Sequence, residues 1–285
     1  MPQVIQSESR IKYNYATIKV TKSRIDKGLI AIPLTLAKWF PDHNDTIQVY
    51  LNDSPDGQAK HYSSYSSKTR ECRIGSMKQW FQQNNIKSGD EIVIQFIDKE
   101  RFIYRIIPEK NFILKTKELQ YSLDNAETEK EALGNITTLA EWTHLNTEKV
   151  ALNEFKRLID KTPLQDREYS KKRLSRAREK TPPSIRILLG ALYRGHCQVC
   201  DFWFLKKDNT PHYEIHHINP FRGDHPKNLV LVCPNCHSQF EYADVNHSFN
   251  DDSWLIRVSF NKKMYPINQI ILKTGLEDSF KRLFI

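Results

Sequence analysis

CQVCDFWFLKKDNTPHYEIHHINPFRGDHPKNLVLVCPNCH, residues 197–237, is the stretch around which the chain is organised. It opens on Cys197 and Cys200 and closes on Cys233, Cys236 and His237. Two C-x-x-C pairs supply the four thiolates of a tetrahedral zinc site. With every position taken by sulfur no place remains for water, so this zinc is expected to hold the fold and do no chemistry. The alternative, four buried free thiols, is disfavoured by the doubled spacing.

Seven of the chain's ten histidines fall between His196 and His247. His216 and His217 are adjacent on an expected strand, Tyr213 to Ile218, where successive side chains point to opposite faces, so they cannot do the same job. His237 directly follows Cys236, and on a short helix its side chain is turned about 100° from the cysteine. One helix can then serve zinc on one side and a second metal on the other.

The residues HHI at 216–218, Asn228 with Leu229, and CPNCH at 233–237, enclosed by the two C-x-x-C pairs, resemble the HNH, or His-Me finger, nucleases. The resemblance implies a zinc-stapled ββα-metal domain in which a strand hairpin and a helix surround one divalent ion, magnesium or manganese. In it His217 is the general base, His216 and His237 are metal ligands, and Asn228 fixes the loop that holds the base. The chemistry suits the residue types: an imidazole of pKa about 6.5 accepts a proton from water at neutral pH. Two neutral imidazoles leave the ion its full charge for the scissile phosphate and the departing 3′ oxygen. The expected products carry a 5′-phosphate and a 3′-hydroxyl. Many relatives carry Asp in place of His216, and a histidine makes a softer site open to manganese, nickel or zinc besides magnesium. His196, His212, His225 and His247 read as surface residues or phosphate contacts, and Glu241, one helical turn past His237, as a further ligand candidate.

The chain has 285 residues and a formal charge of +9 from 43 basic and 34 acidic side chains, which suits a polyanionic partner such as double-stranded DNA. No apolar run approaches the roughly 18 residues needed to span a bilayer, and MPQVIQSESR lacks the apolar core of a signal peptide. A cytoplasmic protein, bacterial or archaeal, is expected. The fifth cysteine, Cys72, reads as packed in a strand, in keeping with a reducing compartment.

From Tyr15 to about Pro108 the segments ATIKV, GLIAIP, TIQVYL, EIVIQFI and RFIYRII read as strands, interrupted by helical stretches at Leu34 to Trp39 and Ser76 to Asn84. GLIAIPLTLAKWF at 28–40 and the block from Trp80 through the Gly89–Asp90 turn into EIVIQF resemble the DNA-binding pseudobarrel of plant B-three factors and of the EcoRII effector domain. That resemblance implies two arms gripping the major groove. They map to Thr21–Lys27, with Lys22, Ser23, Arg24 and Lys27, and to about Ser63–Arg73, with Lys68, Arg70 and Arg73 as cations. Arg can bind guanine bidentately while Lys and Ser anchor the backbone; solvated hairpin loops are the bland reading of both stretches.

Residues 109–162 read as a connector with helices at Glu127–Leu133 and Glu148–Ile159, the second carrying an apolar stripe of Ala151, Phe155, Leu158 and Ile159. The stretch 167–186 is basic. On a helix begun near Ser170, Lys172, Arg173 and Arg176 share a face suited to phosphates, or form an ordinary solvated face. A helix at Ile185–Tyr193 should lead into Cys197, and the tail reads as a strand at 254–260 and a helix at Glu277–Phe284.

The expected fold is α+β: a β-pseudobarrel DNA-binding domain at 1–108, a helical connector at 109–183 and a zinc-stapled HNH domain at 184–285. The expected function is a sequence-specific DNA endonuclease of restriction type, acting as a homodimer because one site cuts one strand, with a cognate methyltransferase as a possible partner. Two other readings stay open: a nuclease requiring a modified base, read through Trp39, Tyr62 and Tyr65, and a zinc-containing DNA-binding regulator without activity.

Overall fold

The computed structural model describes residues 11, 13, 15–66, 71–162, 164 and 181–277. The fold is α+β, with a nearly closed N-terminal sheet barrel, helices, and a C-terminal domain built on the four-cysteine cluster. It divides into two compact units, Met1–Leu119 with Trp142–His144, and Gln120–Glu141 with Leu145–Ile285.

In the first unit the strands are β1 (Ala16–Lys19), β2 (Ile30–Ile32), β3 (Asp45–Leu51), β4 (Gly57–Ser63), β5 (Cys72–Ile74), β6 (Glu91–Asp98) and β7 (Ile103–Pro108). Their order in the sheet is β1-β6-β7-β3-β4-β5-β2. Among the described residues only β3 and β7 pair in parallel. Alternation puts Ile47, Val49 and Leu51 of β3 inside. Phe40 stacks on Tyr104 at 4.4 Å and on Tyr62 at 5.4 Å, and the Tyr104 hydroxyl donates to the Trp39 carbonyl at 2.8 Å. Tyr62 is fully buried, a core residue and no part of an accessible base-reading pocket. Strands β4 and β5 are additions to those expected, because β4 buries only Tyr62 and β5 has three residues. Cys72 lies buried in β5.

Helix α1 (Lys22–Lys27) takes up most of the first expected arm, which is therefore helical and not a hairpin loop. Gly28 ends it at φ 64°, and a Cβ there would stand 3.0 Å from the Lys78 nitrogen, so glycine is required twice over. Short helices α2 (Leu34–Ala37) and α3 (Lys78–Gln83) close the unit, α3 burying Trp80 and Phe81. Lys68 and Arg70 of the second arm lie outside the described residues, as do Lys172, Arg173 and Arg176.

Helix α4 (Glu109–Asp124) has no counterpart among the expected elements, and α5 (Glu129–Thr143) is longer than expected. In the first unit, Phe112 of α4 packs against Tyr15 at 5.0 Å and Trp142 at 5.5 Å. The buried Thr116 hydroxyl donates to the Phe112 carbonyl at 2.7 Å and accepts the Trp142 indole N–H at 3.0 Å.

The second unit contains α6 (Thr147–Lys161), capped by Asn146, whose side chain accepts the Lys149 N–H. Its buried face is Val150, Ala151, Glu154, Phe155 and Leu158, so a charged residue stands inside the expected stripe while Ile159 is half-buried. Glu154 is tolerated there because Gln120 donates to one carboxylate oxygen at 2.7 Å and Arg157 to the other at 2.6 Å. Arg157 also grips Asp124 through two bonds of 3.0 and 2.6 Å.

Helix α7 (Pro183–Tyr193) then leads to the hairpin of β8 (Glu214–His217) and β9 (Leu229–Val232), followed by α8 (Pro234–Tyr242). A three-stranded sheet of β10 (Val245–Phe249), β11 (Leu255–Phe260) and β12 (Lys263–Pro266) places Leu255, Val258 and Phe260 in one core with Cys197, Cys233, Cys236 and Phe240. Of these strands only β11 is among those expected. Helix α9 (Ile270–Glu277) precedes the tail, and the helix expected at 277–284 lies beyond the described residues apart from its first position.

Candidate functional site

Strand β8 is half-exposed along its length while β9, LVLV, is buried throughout, and the register opposes His216 to Val230 and His217 to Leu229. The pleat therefore sends the two histidines to opposite faces. Glycine at position 190 of α7 lets the strand's lead-in approach closely. A Cβ there would meet the Tyr213 hydroxyl at 2.2 Å.

Asn228 is buried and ties down the loop after β8. Its Nδ2 donates to the carbonyls of Asn219 and Gly223, each at 2.8 Å, and its Oδ1 accepts the Asn219 N–H at 2.8 Å. Both amide protons and the amide oxygen thus go to backbone, which explains asparagine at this place. Within the braced loop Asp224 reaches back, its Oδ1 lying 3.0 Å from His217 Nε2. His225, expected at the surface, is buried instead and caps the turn Pro226–Asn228 by accepting the Lys227 N–H at 3.1 Å. Burial lowers its pKa.

Helix α8 starts at the second cysteine pair: Cys233 is the N-cap, and its Sγ accepts the Cys236 N–H at 3.4 Å. His237 then points to the other side, where its ring centroid lies 5.4 Å from that of His216. Glu214 Oε2 is hydrogen-bonded to His237 Nδ1, and Glu241 Oε1 lies 3.9 Å from Nε2. His216 stacks on Phe240 at 4.1 Å, and Phe240 stacks in turn with His247 at 6.0 Å. Burial, followed by the neighbouring His237, His247 and His217, pushes the His216 pKa down to about 3. His216 is thus a neutral imidazole at any pH near 7, the form that ligates metals.

The structure brings His216 and His237 together, pairs His217 with Asp224 in the loop that Asn228 braces, and adds Glu214, Asp224 and Phe240, which no motif indicates. Asp224 and Glu214 supply the carboxylate that orients an imidazole by binding its other nitrogen. A carboxylate within seven residues of the histidine pair is the available signal, but loops commonly carry such residues.

On the far side of α8 the sulfurs of Cys197, Cys200, Cys233 and Cys236 all lie within 4.8 Å of one another, the only group of three or more such ligands among the described residues. None is in a disulfide. The Cys236 thiol, hydrogen-bonded to Cys197, pulls the Cys197 pKa down to about 5, while Cys236 itself is pushed up by the same contact. Four converging sulfurs, one already favouring the thiolate, fit zinc in donor type and number.

In the first unit, Arg24 and Arg73 do not stand free as DNA-reading arms: both pair with Glu71, Arg73 Nε at 2.8 Å from Oε1. Lys22, Ser23 and Lys27 are exposed on α1. No helix among the described residues is long and apolar enough to cross a membrane.

Residues 197–241 match the HNH endonuclease family. The type IV methyl-directed restriction enzyme EcoKMcrA of Escherichia coli (strain K12) is 30% identical over 66 residues, which is 21% of this chain and 24% of that enzyme. The chain therefore matches about a quarter of that relative's length. Among solved structures, the Arabidopsis FUS3–DNA complex superposes with a TM-score of 0.28 at 13% identity, covering 32% of this chain and 92% of the other. The family match and the geometry agree on the same residues: this chain carries an HNH endonuclease domain at 197–241.

Proposed function

We propose that the chain is a sequence-specific DNA endonuclease of restriction type, with His217 as general base. The observation that supports it is the pairing of His217 Nε2 with Asp224 in a loop clamped by Asn228. An Nε2–H donated to the carboxylate leaves the Nδ1 lone pair to take a proton from the attacking water. The Asp224 charge also stabilises the imidazolium as it forms, as the carboxylate of a catalytic triad does.

His216 and His237 would hold the divalent ion, magnesium or manganese. Glu214 on His237 Nδ1 leaves Nε2 for ligation, and the low pKa of His216 keeps it unprotonated. What such an ion supplies when bound is positive charge for the scissile phosphate and the leaving 3′ oxygen. Attack in this sense leaves a 5′-phosphate and a 3′-hydroxyl. The four cysteines would hold zinc and keep α8 in position.

A single site cuts one strand, so cleavage of a duplex would use a homodimer. Exposed Lys22 and Lys27, and Arg24 and Arg73 once released from Glu71, would contact DNA. A partner methyltransferase would protect the host. The likeness to a methyl-directed enzyme favours a second reading, cleavage only at modified bases, though Tyr62 is not free to read them. A regulator without activity has no use for the His217–Asp224 pair.

Methylated and unmethylated plasmid incubated with the protein and magnesium or manganese, with cut ends sequenced, tests the nuclease, its general base and its methylation requirement. Discrete cuts by the wild type and none by His217→Ala are expected. Equal cutting by both excludes His217 as the base, and DNA binding without cutting favours the regulator.

A further inference from the structure

Four consecutive large apolar side chains, Phe202, Trp203, Phe204 and Leu205, stand 42–50% exposed between the first cysteine pair and β8. No other run of exposed large hydrophobics among the described residues is as long, and an exposed cluster of this kind marks an interaction site. Its backbone is held in place. The Cys197 N–H donates to the Phe202 carbonyl at 3.0 Å, the His212 N–H to the Phe204 carbonyl at 3.0 Å, and Leu205 bridges Pro211 beyond them. The rings are held too: Trp203 stacks on His196 with centroids 5.1 Å apart, and Phe204 lies 5.1 Å from His212.

Two lysines and two aspartates flank the rings. Asp208 accepts both the N–H and the hydroxyl of Thr210 and its other oxygen lies 3.6 Å from Lys206 Nζ, while Asp201 lies 3.1 Å from His196 Nδ1. Lys206 and Lys207 follow the rings directly and are exposed. Flat rings beside lysines match bases beside phosphates. The patch is small for a protein partner: four half-exposed side chains offer about 400 Å², against about 800 Å² per partner in a stable interface. It is also close to the chemistry. His212 precedes His217 by five residues of extended chain, about 17 Å, or about five nucleotide steps along one strand.

We propose that the hairpin 202–212 is a DNA-stacking element, in which Trp203 and Phe204 stack on bases near the cleaved phosphate and Lys206 and Lys207 take backbone phosphates. It rests on the reading of the chain as a DNA endonuclease. The full-length protein, its Trp203→Ala, Phe204→Ala and Trp203→Phe variants and a Lys206→Gln/Lys207→Gln variant would be titrated against a labelled duplex spanning the mapped cut site. A salt series is run, and 2-aminopurine is placed within five steps of the cut. Zinc content and circular dichroism verify the fold of each variant.

Each alanine variant is expected to weaken binding by about 5- to 100-fold with the salt slope unchanged. The double lysine variant should flatten the slope by about 2. The 2-aminopurine signal should rise with the wild type and with Trp203→Phe, which keeps a ring, but not with Trp203→Ala. Alanine variants that bind and brighten the probe like a cutting wild type overturn the stacking element and leave the nuclease standing. Loss confined to self-association, with affinity per protomer unchanged, assigns the rings to a second copy of this chain and also overturns it. A wild type that binds no DNA removes the nuclease reading and this one together.

Discussion

Asn228 offers the most direct check on how the catalytic loop is held. Replacing it with alanine deletes three hydrogen bonds, one buried and two part-buried, and leaves the Asn219 N–H and the carbonyls of Asn219 and Gly223 without that partner. At about 1–3 kcal/mol for a buried group left unpaired, and less for the Asn219 groups, which are part-buried and of which the carbonyl keeps the Arg222 N–H at 3.1 Å, the loss should be about 2–3 kcal/mol. Aspartate is nearly the same size but should do no better. It keeps the acceptor for Asn219 N–H and puts a second carboxylate oxygen against two carbonyl oxygens. The introduced carboxyl must then have a folded pKa raised above its unfolded value of about 3.9. Below the unfolded pKa both states are protonated and there is no linked penalty. As pH rises the unfolded state ionises first, and the penalty grows until pH passes the folded pKa. Urea unfolding at pH 4 and pH 7 reads this directly. Asn228→Asp should be markedly less stable at pH 7 than at pH 4, with Asn228→Ala changing much less between them. An aspartate variant as stable as wild type at pH 7 would refute the three-bond clamp as the reason for asparagine here.

Three further outcomes are expected. His217→Ala should lower the cleavage rate by about 10²- to 10⁴-fold, the usual worth of a general base, while DNA affinity by anisotropy stays within a few-fold; a comparable loss of affinity would mean that the histidine binds and does not activate water. Cys233→Ser, or a strong chelator, should release metal measurable by elemental analysis and unfold the second unit by circular dichroism, since the sulfurs sit in its core; retention of the native spectrum without metal would contradict a structural zinc. Arg157→Met should cost about 3–5 kcal/mol because it removes the guanidinium from buried Glu154. The same ion-pair group carries a pH signature. Burial alone would raise the Asp124 pKa, but hydrogen bonds from Arg157 and Lys161 outweigh it and hold the carboxyl below its ordinary value. Its contribution is therefore present above the unfolded pKa and lost as pH falls through the folded one, and that acid-side loss should shrink in the Arg157 variant, which keeps only Lys161 on Asp124, on urea titration.

The candidate residues of the HNH domain are legible in the chain without any coordinates. Cysteine pairs with two residues between them, adjacent histidines on a strand, and a histidine following a cysteine on a helix carry their geometry in short spacings, so period and pleat alone place them. The strands of the barrel are legible wherever a face is uniformly apolar, as in EIVIQFI, and not in β4, which buries one residue, or β5, which has three. Helix α4 is hidden because its inward positions include Thr116 and Gln120, polar side chains that become acceptable only when Trp142 and, for Gln120, Glu154 arrive from elsewhere in the chain. The carboxylates behave the same way. Glu214 and Asp224 acquire roles from the turn that folds them onto His237 and His217. Arg24 and Arg73, which read as exposed arms, are drawn to Glu71, at positions far apart along the chain for Arg24. Apart from the local Arg73–Glu71 pair, these pairings are settled by tertiary contact, because a polar or charged side chain has no preferred inside until a specific partner satisfies it, and that partner is chosen by the fold.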